Sequence, residues 1–149
     1  MSTPLLHIHL LGTFHLVHDA EATTSLRAAR LQSLLAYLLL QRATPQSRQR
    51  IAFTFWPETS DSQAQTNLRQ LLHTLKQRLP NANLFLQVDE HTVAWRHNSP
   101  YTLDVAEFED ALVIASKASG LTKIEALERA VARYTGDLLP GCYDDWIIP

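Results

Sequence analysis
Between Ser62 and Leu79 lies the one stretch of this chain whose residue types and spacing suggest a specific chemistry. With Leu68 at the origin of a wheel of ~100° per residue, Leu71, Leu72, Leu75 and Leu79 gather on one side. Gln63, Thr66, Gln70, His73, Thr74 and Gln77 gather on the other, and Arg69, Lys76 and Arg78 flank the leucines. No carboxylate interrupts the span, although a solvated helix of this length ordinarily mixes Glu with Lys for support at i,i+4. Amides and hydroxyls can exchange hydrogen bonds with the base edges of a duplex, and cations at the rim can hold its phosphates. Thr66, Asn67, Gln70, His73, Thr74 and Gln77 are therefore the candidate base-contacting residues. Arg48, Arg50, Arg69, Lys76 and Arg96 are the candidate phosphate contacts, with His97 beside the last.

Other constellations point elsewhere and carry less. His7-x-His9, with His15 nearby, places imidazoles on one strand face, but a metal needs further ligands, and an alternating strand explains the pattern equally well. Asp144-Asp145 has no nucleophile–base pattern beside it and reads as a helix cap and surface charge. Cys142 is the only cysteine, which excludes an internal disulfide and a multi-cysteine zinc site. With 4 glycines there is no phosphate-cradling loop. Trp56, Trp95 and Trp146 are too dispersed to form a stacking platform. No enzyme, metal site or cofactor is expected.

The elements that must position the candidate face follow from periodicity. Leu5 to His18 alternates in two short runs broken at Gly12-Thr13, a hairpin or meander. Ser25 to Gln41 carries Leu31, Leu34, Leu35, Leu38 and Leu39 at helical spacing. Ala43-Thr44-Pro45 breaks this helix. Ser47 can cap a short second helix with Ile51, Ala52 and Phe55 inward, which Trp56-Pro57 ends. The long helix then runs to Leu79 before Pro80, and Leu84–Val88 with Thr92–Arg96 reads as a hairpin around Asp89-Glu90-His91. Beyond Ser99-Pro100 no strand signal remains. Asp104–Ser119 and Leu121–Tyr134 are amphipathic helices separated by Gly120, and Asp104-x-x-Glu107 has the form of a capping box. Val105, Phe108, Leu112 and Ala115 are expected to zip against Ile124, Leu127, Val131 and Tyr134. The predicted fold class is α+β: a winged helix-turn-helix of small N-terminal sheet, three helices and C-terminal hairpin wing, followed by an α-helical segment.

The 149 residues are 46% hydrophobic and 19% charged, enough apolar content for a packed core. The formal charge of −2 conceals an asymmetry. Residues 1–100 carry nine basic and six acidic groups (+3), and residues 101–149 four basic and nine acidic (−5). Only the front favours a polyanion. The longest apolar run, Leu34–Leu40, is far short of the ~20 residues of a membrane span, and the N-terminus has no basic leader, so a cytoplasmic protein without a membrane partner is expected.

The segments "LHIHLLGTFHLV", "LLAYLLLQ", "RQRIAFTFWPETSDSQAQTNLRQLLHTLKQRL" and "DVAEFEDAL…ALERAVARYTGDLLPGCYDDWI" resemble bacterial transcriptional regulators of the SARP type. In that family an OmpR/PhoB-type winged-helix domain precedes an all-α bacterial transcriptional activator domain. The resemblance implies a DNA-binding domain over 1–99, with Ser62–Leu79 as recognition helix and Leu84–Arg96 as wing. Residues 100–149 would be the first helices of a truncated activator domain, in a chain that forms the front of a longer regulator. It implies double-stranded promoter or operator DNA, RNA polymerase or further regulator domains, and a second copy of the chain as partners. The expected function is sequence-specific duplex binding. The alternative is a degenerate winged helix kept for protein–protein contact or autoinhibition. The apolar tail residues Leu138, Leu139, Trp146, Ile147 and Ile148 are expected to need cover from another surface.

Overall fold
The computed structural model describes residues 6–12, 14–18, 21–22, 28–134, 136 and 138. Several expectations lie outside them: the helix start at Ser25, Cys142, the Asp144-Asp145 pair, Trp146 and the apolar tail beyond Leu138. The chain divides into two compact units, one of N-terminal strands with residues 100–138 and one of residues 28–99.

The first unit is built on a four-stranded sheet. Strands β1 (Leu6–His9), β2 (His15–His18) and β3 (Glu21–Ala22) form an antiparallel meander. Alternation does what the sequence predicts here, since Leu6, Ile8 and Leu16 are fully buried while His7 and His9 are half-exposed. A strand the sequence does not announce, β7 (Tyr101–Leu103), pairs in parallel with β1, giving the order β3-β2-β1-β7. This corrects the expectation of a purely helical segment after residue 99. Three residues are too few to show a period, and the partner strand is far away in sequence.

Helix α5 (Asp104–Lys117) follows β7 directly, and α6 (Gly120–Arg133) returns beside it. The expected capping box does not form. Asp104 is buried, and its carboxylate accepts the backbone N–H groups of Leu10 at 3.0 Å and Leu11 at 2.9 Å, together with that of Val105 at 2.8 Å. Glu107 is paired with Arg133 at 2.5 Å. The zip between large side chains is likewise corrected. The inward residues of the two helices are Ala111 and Ala115 on α5 and Ala126 and Ala130 on α6. Ile124 and Val131 are 52% and 73% exposed, and Leu112 and Leu127 also face outward. Of the expected face on α5, Val105 and Ala115 are buried, and Phe108 meets Tyr134 with ring centroids 5.6 Å apart.

The second unit holds the three expected helices in order: α1 (Ala29–Leu40), α2 (Arg48–Phe55) and α3 (Asp61–Arg78). All five predicted leucines of α1 are buried, as are Ile51, Ala52 and Phe55 of α2. The expected strand Leu84–Val88 is half helix, with α4 (Ala82–Phe85) preceding β5 (Leu86–Val88). Asn81 enters α4 at φ 52°, a left-handed conformation that asparagine tolerates better than most residues. β5 pairs with β6 (Thr92–Trp95), and the two-residue strand β4 (Gln46–Ser47) adds to the far edge of β6. Phe85 stacks on Trp95 beneath the hairpin, centroids 5.5 Å apart.

Candidate nucleic-acid interface
Two serine caps set the helices that carry the candidate residues. Ser47 Oγ accepts the Arg50 N–H at 3.2 Å and Ser60 Oγ accepts that of Gln63 at 3.3 Å, each satisfying an otherwise orphaned first-turn donor. Between them Trp56 leaves the helix before Pro57, as the clash of a proline ring with the preceding residue requires. Arg30, which sequence reasoning did not single out, ties α1 to this corner. Its guanidinium donates to the Phe55 carbonyl at 3.1 Å and lies over the rings of Phe55 and Trp56 at 5.6 and 5.5 Å. A lone arginine at a helix start gives no signal of such a role.

With α3 fixed by Ala64, Leu68, Leu72 and Leu75 on its buried side, its opposite side is polar along the whole length. Gln70, His73 and Gln77 are exposed, and Thr66, Asn67 and Thr74 are half-buried beside them. The two threonine hydroxyls turn back on the helix, donating to the Ser62 and Gln70 carbonyls at 3.0 Å each. Gln63 Nε2 donates to Asn67 Oδ1 at 2.8 Å, a tie that the i,i+4 spacing makes available. The amides of Gln70 and Gln77 have no hydrogen-bond partner among the described residues. The only acidic residue of the helix is Asp61, in its first turn, where it complements the helix dipole.

The five candidate phosphate contacts fall into two kinds. Arg50, Lys76 and Arg96 are exposed, and their side chains form no hydrogen bond or ion pair among the described residues. Arg69 is exposed and, among the described residues, reaches only Thr66 Oγ1, at 3.4 Å. Arg48 differs: its guanidinium donates to the Asp89 carbonyl and its N–H to the His91 carbonyl, both at 2.9 Å. It thereby fastens the start of α2 to the turn of the hairpin. Tyr37, a buried residue of α1, has its phenol pushed up by burial, against a smaller opposing pull from Arg50.

A groove of about 460 Å³ opens between the starts of α2 and α3, lined by Gln49, Arg50, Phe53, Asp61 and Gln65 among others. Phe53 is 65% exposed at its edge, a feature the sequence does not predict. In the other unit, His9 and His15 stand directly opposite each other across β1 and β2 with ring centroids 5.8 Å apart, and His7 bonds Thr102 Oγ1 at 2.7 Å. No group of three or more metal-capable side chains comes together among the described residues. No described helix is long and apolar enough to cross a membrane.

No family model matches the chain, and no curated protein matches it. Among solved structures, Mycobacterium tuberculosis EmbR in complex with a low-affinity phosphopeptide is similar, with a TM-score of 0.69 and 20% sequence identity. The likeness covers 91% of this chain and 38% of the EmbR chain. At that identity it is a likeness of fold: a mixed α/β arrangement of helices and small sheets.

Proposed function
We propose that residues 28–99 form a winged helix-turn-helix that binds double-stranded DNA in a sequence-specific manner. In this reading α3 enters the major groove and the β5–β6 hairpin is the wing. The observation that carries it is the outer face of α3: amides, hydroxyls and an imidazole along its centre, cations at its rims and no carboxylate past the first turn. The wing's turn is held to the start of α2 by Arg48, so hairpin and recognition helix belong to one framework. Residues 24–99 carry nine basic and four acidic groups, a local +5 within a chain of net −2. Likeness of fold to EmbR and resemblance to SARP-type regulators support placing the domain in a bacterial transcriptional activator of the OmpR/PhoB-type class. The partners are then promoter DNA, RNA polymerase or further regulator domains, and a second copy of the chain, in the cytoplasm.

Duplex binding measured against salt tests the reading. Log affinity should fall linearly with log salt, each phosphate contact contributing a slope of about −0.9. Absence of duplex binding even at low salt would refute it. A second reading, a winged helix kept for contact with another protein, has its own observation in Phe53 at the edge of the α2–α3 groove. Loss of a partner protein, but not of DNA, in Phe53→Ser would favour it.

A further inference from the structure
We infer that the outer face of α3 reads A·T base pairs, with Gln70 and Gln77 as the adenine-reading residues. The inference rests on the proposal that α3 enters the major groove. Each base pair presents a distinct donor–acceptor pattern there, and side chains match it by geometry. Adenine offers the N7 acceptor and N6 donor that a carboxamide pairs with in bidentate fashion, whereas guanine offers two acceptors, O6 and N7, that call for Arg or Lys. At the centre of the face stand the carboxamides of Gln70 and Gln77, exposed and without a hydrogen-bond partner among the described residues. They are two helical turns apart, about 10.5 Å along the axis, the length of about three base-pair steps.

The groups that would read guanine are displaced from this line. Arg69, Lys76 and Arg78 lie roughly 80–100° around the helix from the leucine stripe, at the rims, where phosphates are reached rather than base edges. His73, the remaining exposed residue at the centre, has a single N–H when neutral and cannot form the two-donor pair to O6 and N7. The threonines add to the bias. With both hydroxyls spent on helix carbonyls, Thr66 and Thr74 present their methyls, which suit the thymine C5-methyl.

Selection of bound sites from random duplexes by the full chain, repeated with variants, tests the assignment. The expected site has A·T at two or more strong positions about three base pairs apart. Gln70→Ala and Gln77→Ala should each flatten one of them, with a loss on the order of tenfold against the preferred duplex. Gln70→Arg should convert its position to G·C, and Arg69→Ala should weaken binding without moving the preferred sequence. A site whose strong positions are all G·C, A·T positions that survive both alanine variants, or binding with no sequence enriched would each overturn the inference while leaving duplex binding intact. Absence of any salt-sensitive duplex binding would instead bring down the winged-helix reading beneath it.

Discussion

Asp104 shows how far a residue's task can lie from its neighbours in sequence. Beside Glu107 it has the form of a helix cap, yet its carboxylate is buried and takes the N–H groups of Leu10 and Leu11, which follow the end of β1. With the Val105 N–H, Asp104→Ala should therefore take the acceptor from three buried donors, at about 1–3 kcal/mol each, and Asp104→Asn, which keeps one acceptor oxygen, should fall between it and the parent. Urea unfolding monitored in the N-terminal strands measures this, and an alanine variant as stable as the parent would contradict the role. The cations separate in the same way. Arg96→Ala should weaken binding to all duplexes alike and make the salt slope shallower by roughly one unit, because its side chain forms no hydrogen bond or ion pair among the described residues. Arg48→Ala should in addition loosen the turn it holds, seen as faster hydrogen exchange at Asp89–His91. Equal exchange in both variants would make Arg48 an ordinary surface cation.

Among the elements, the long and periodic ones were legible and the short ones were not. Helices α1, α2 and α3 fall within a few residues of their predicted bounds, since apolar residues at 3–4 spacing together with serine and proline stops fix them. Strands β4 and β7, of two and three residues, have no period to read and exist because a distant strand supplies their hydrogen bonds. The polar face of α3 was legible for the same reason as its leucines, one wheel giving both. What the wheel could not give was the choice between two faces of α6. Both an alanine pair and an aliphatic stripe repeat at helical spacing, and the alanines turn inward because they let α5 and α6 approach closely. Ala126→Leu should thus force the pair apart and cost about 1–3 kcal/mol, whereas Val131→Ser, at a 73% exposed position, should change stability by less than about 0.5 kcal/mol. Thermal unfolding of the two variants decides it, and the opposite ranking would restore the aliphatic zip.

At the scale of the whole molecule, the boundary expected at residue 99 runs through a sheet. β1 pairs with β7 from the far side of that boundary, the Leu6 N–H is bonded to the Pro100 carbonyl at 3.1 Å, and Asp104 closes the end of the strand. The N-terminal strands thus draw their partners from the sequence that follows the wing. Charge divides along the same line: residues 24–99 hold nine basic and four acidic groups, residues 100–138 four basic and seven acidic. A chain cut after Ser99 would keep the β1–β2 pairing but lose β7 and Asp104, so its Leu6, Leu10 and Leu11 amides should exchange faster and its bare strand edge should promote association. A chain of residues 24–99 would lose only elements of the other unit. It should unfold cooperatively and keep the salt slope of duplex binding shown by the full chain, because the proposed phosphate contacts all lie within it. Comparing the two fragments by hydrogen exchange and by salt-dependent duplex binding separates a boundary at 99 from one at 24. If the 1–99 fragment protects Leu6, Leu10 and Leu11 as the full chain does, the strands need nothing from beyond the wing and the division at 99 stands.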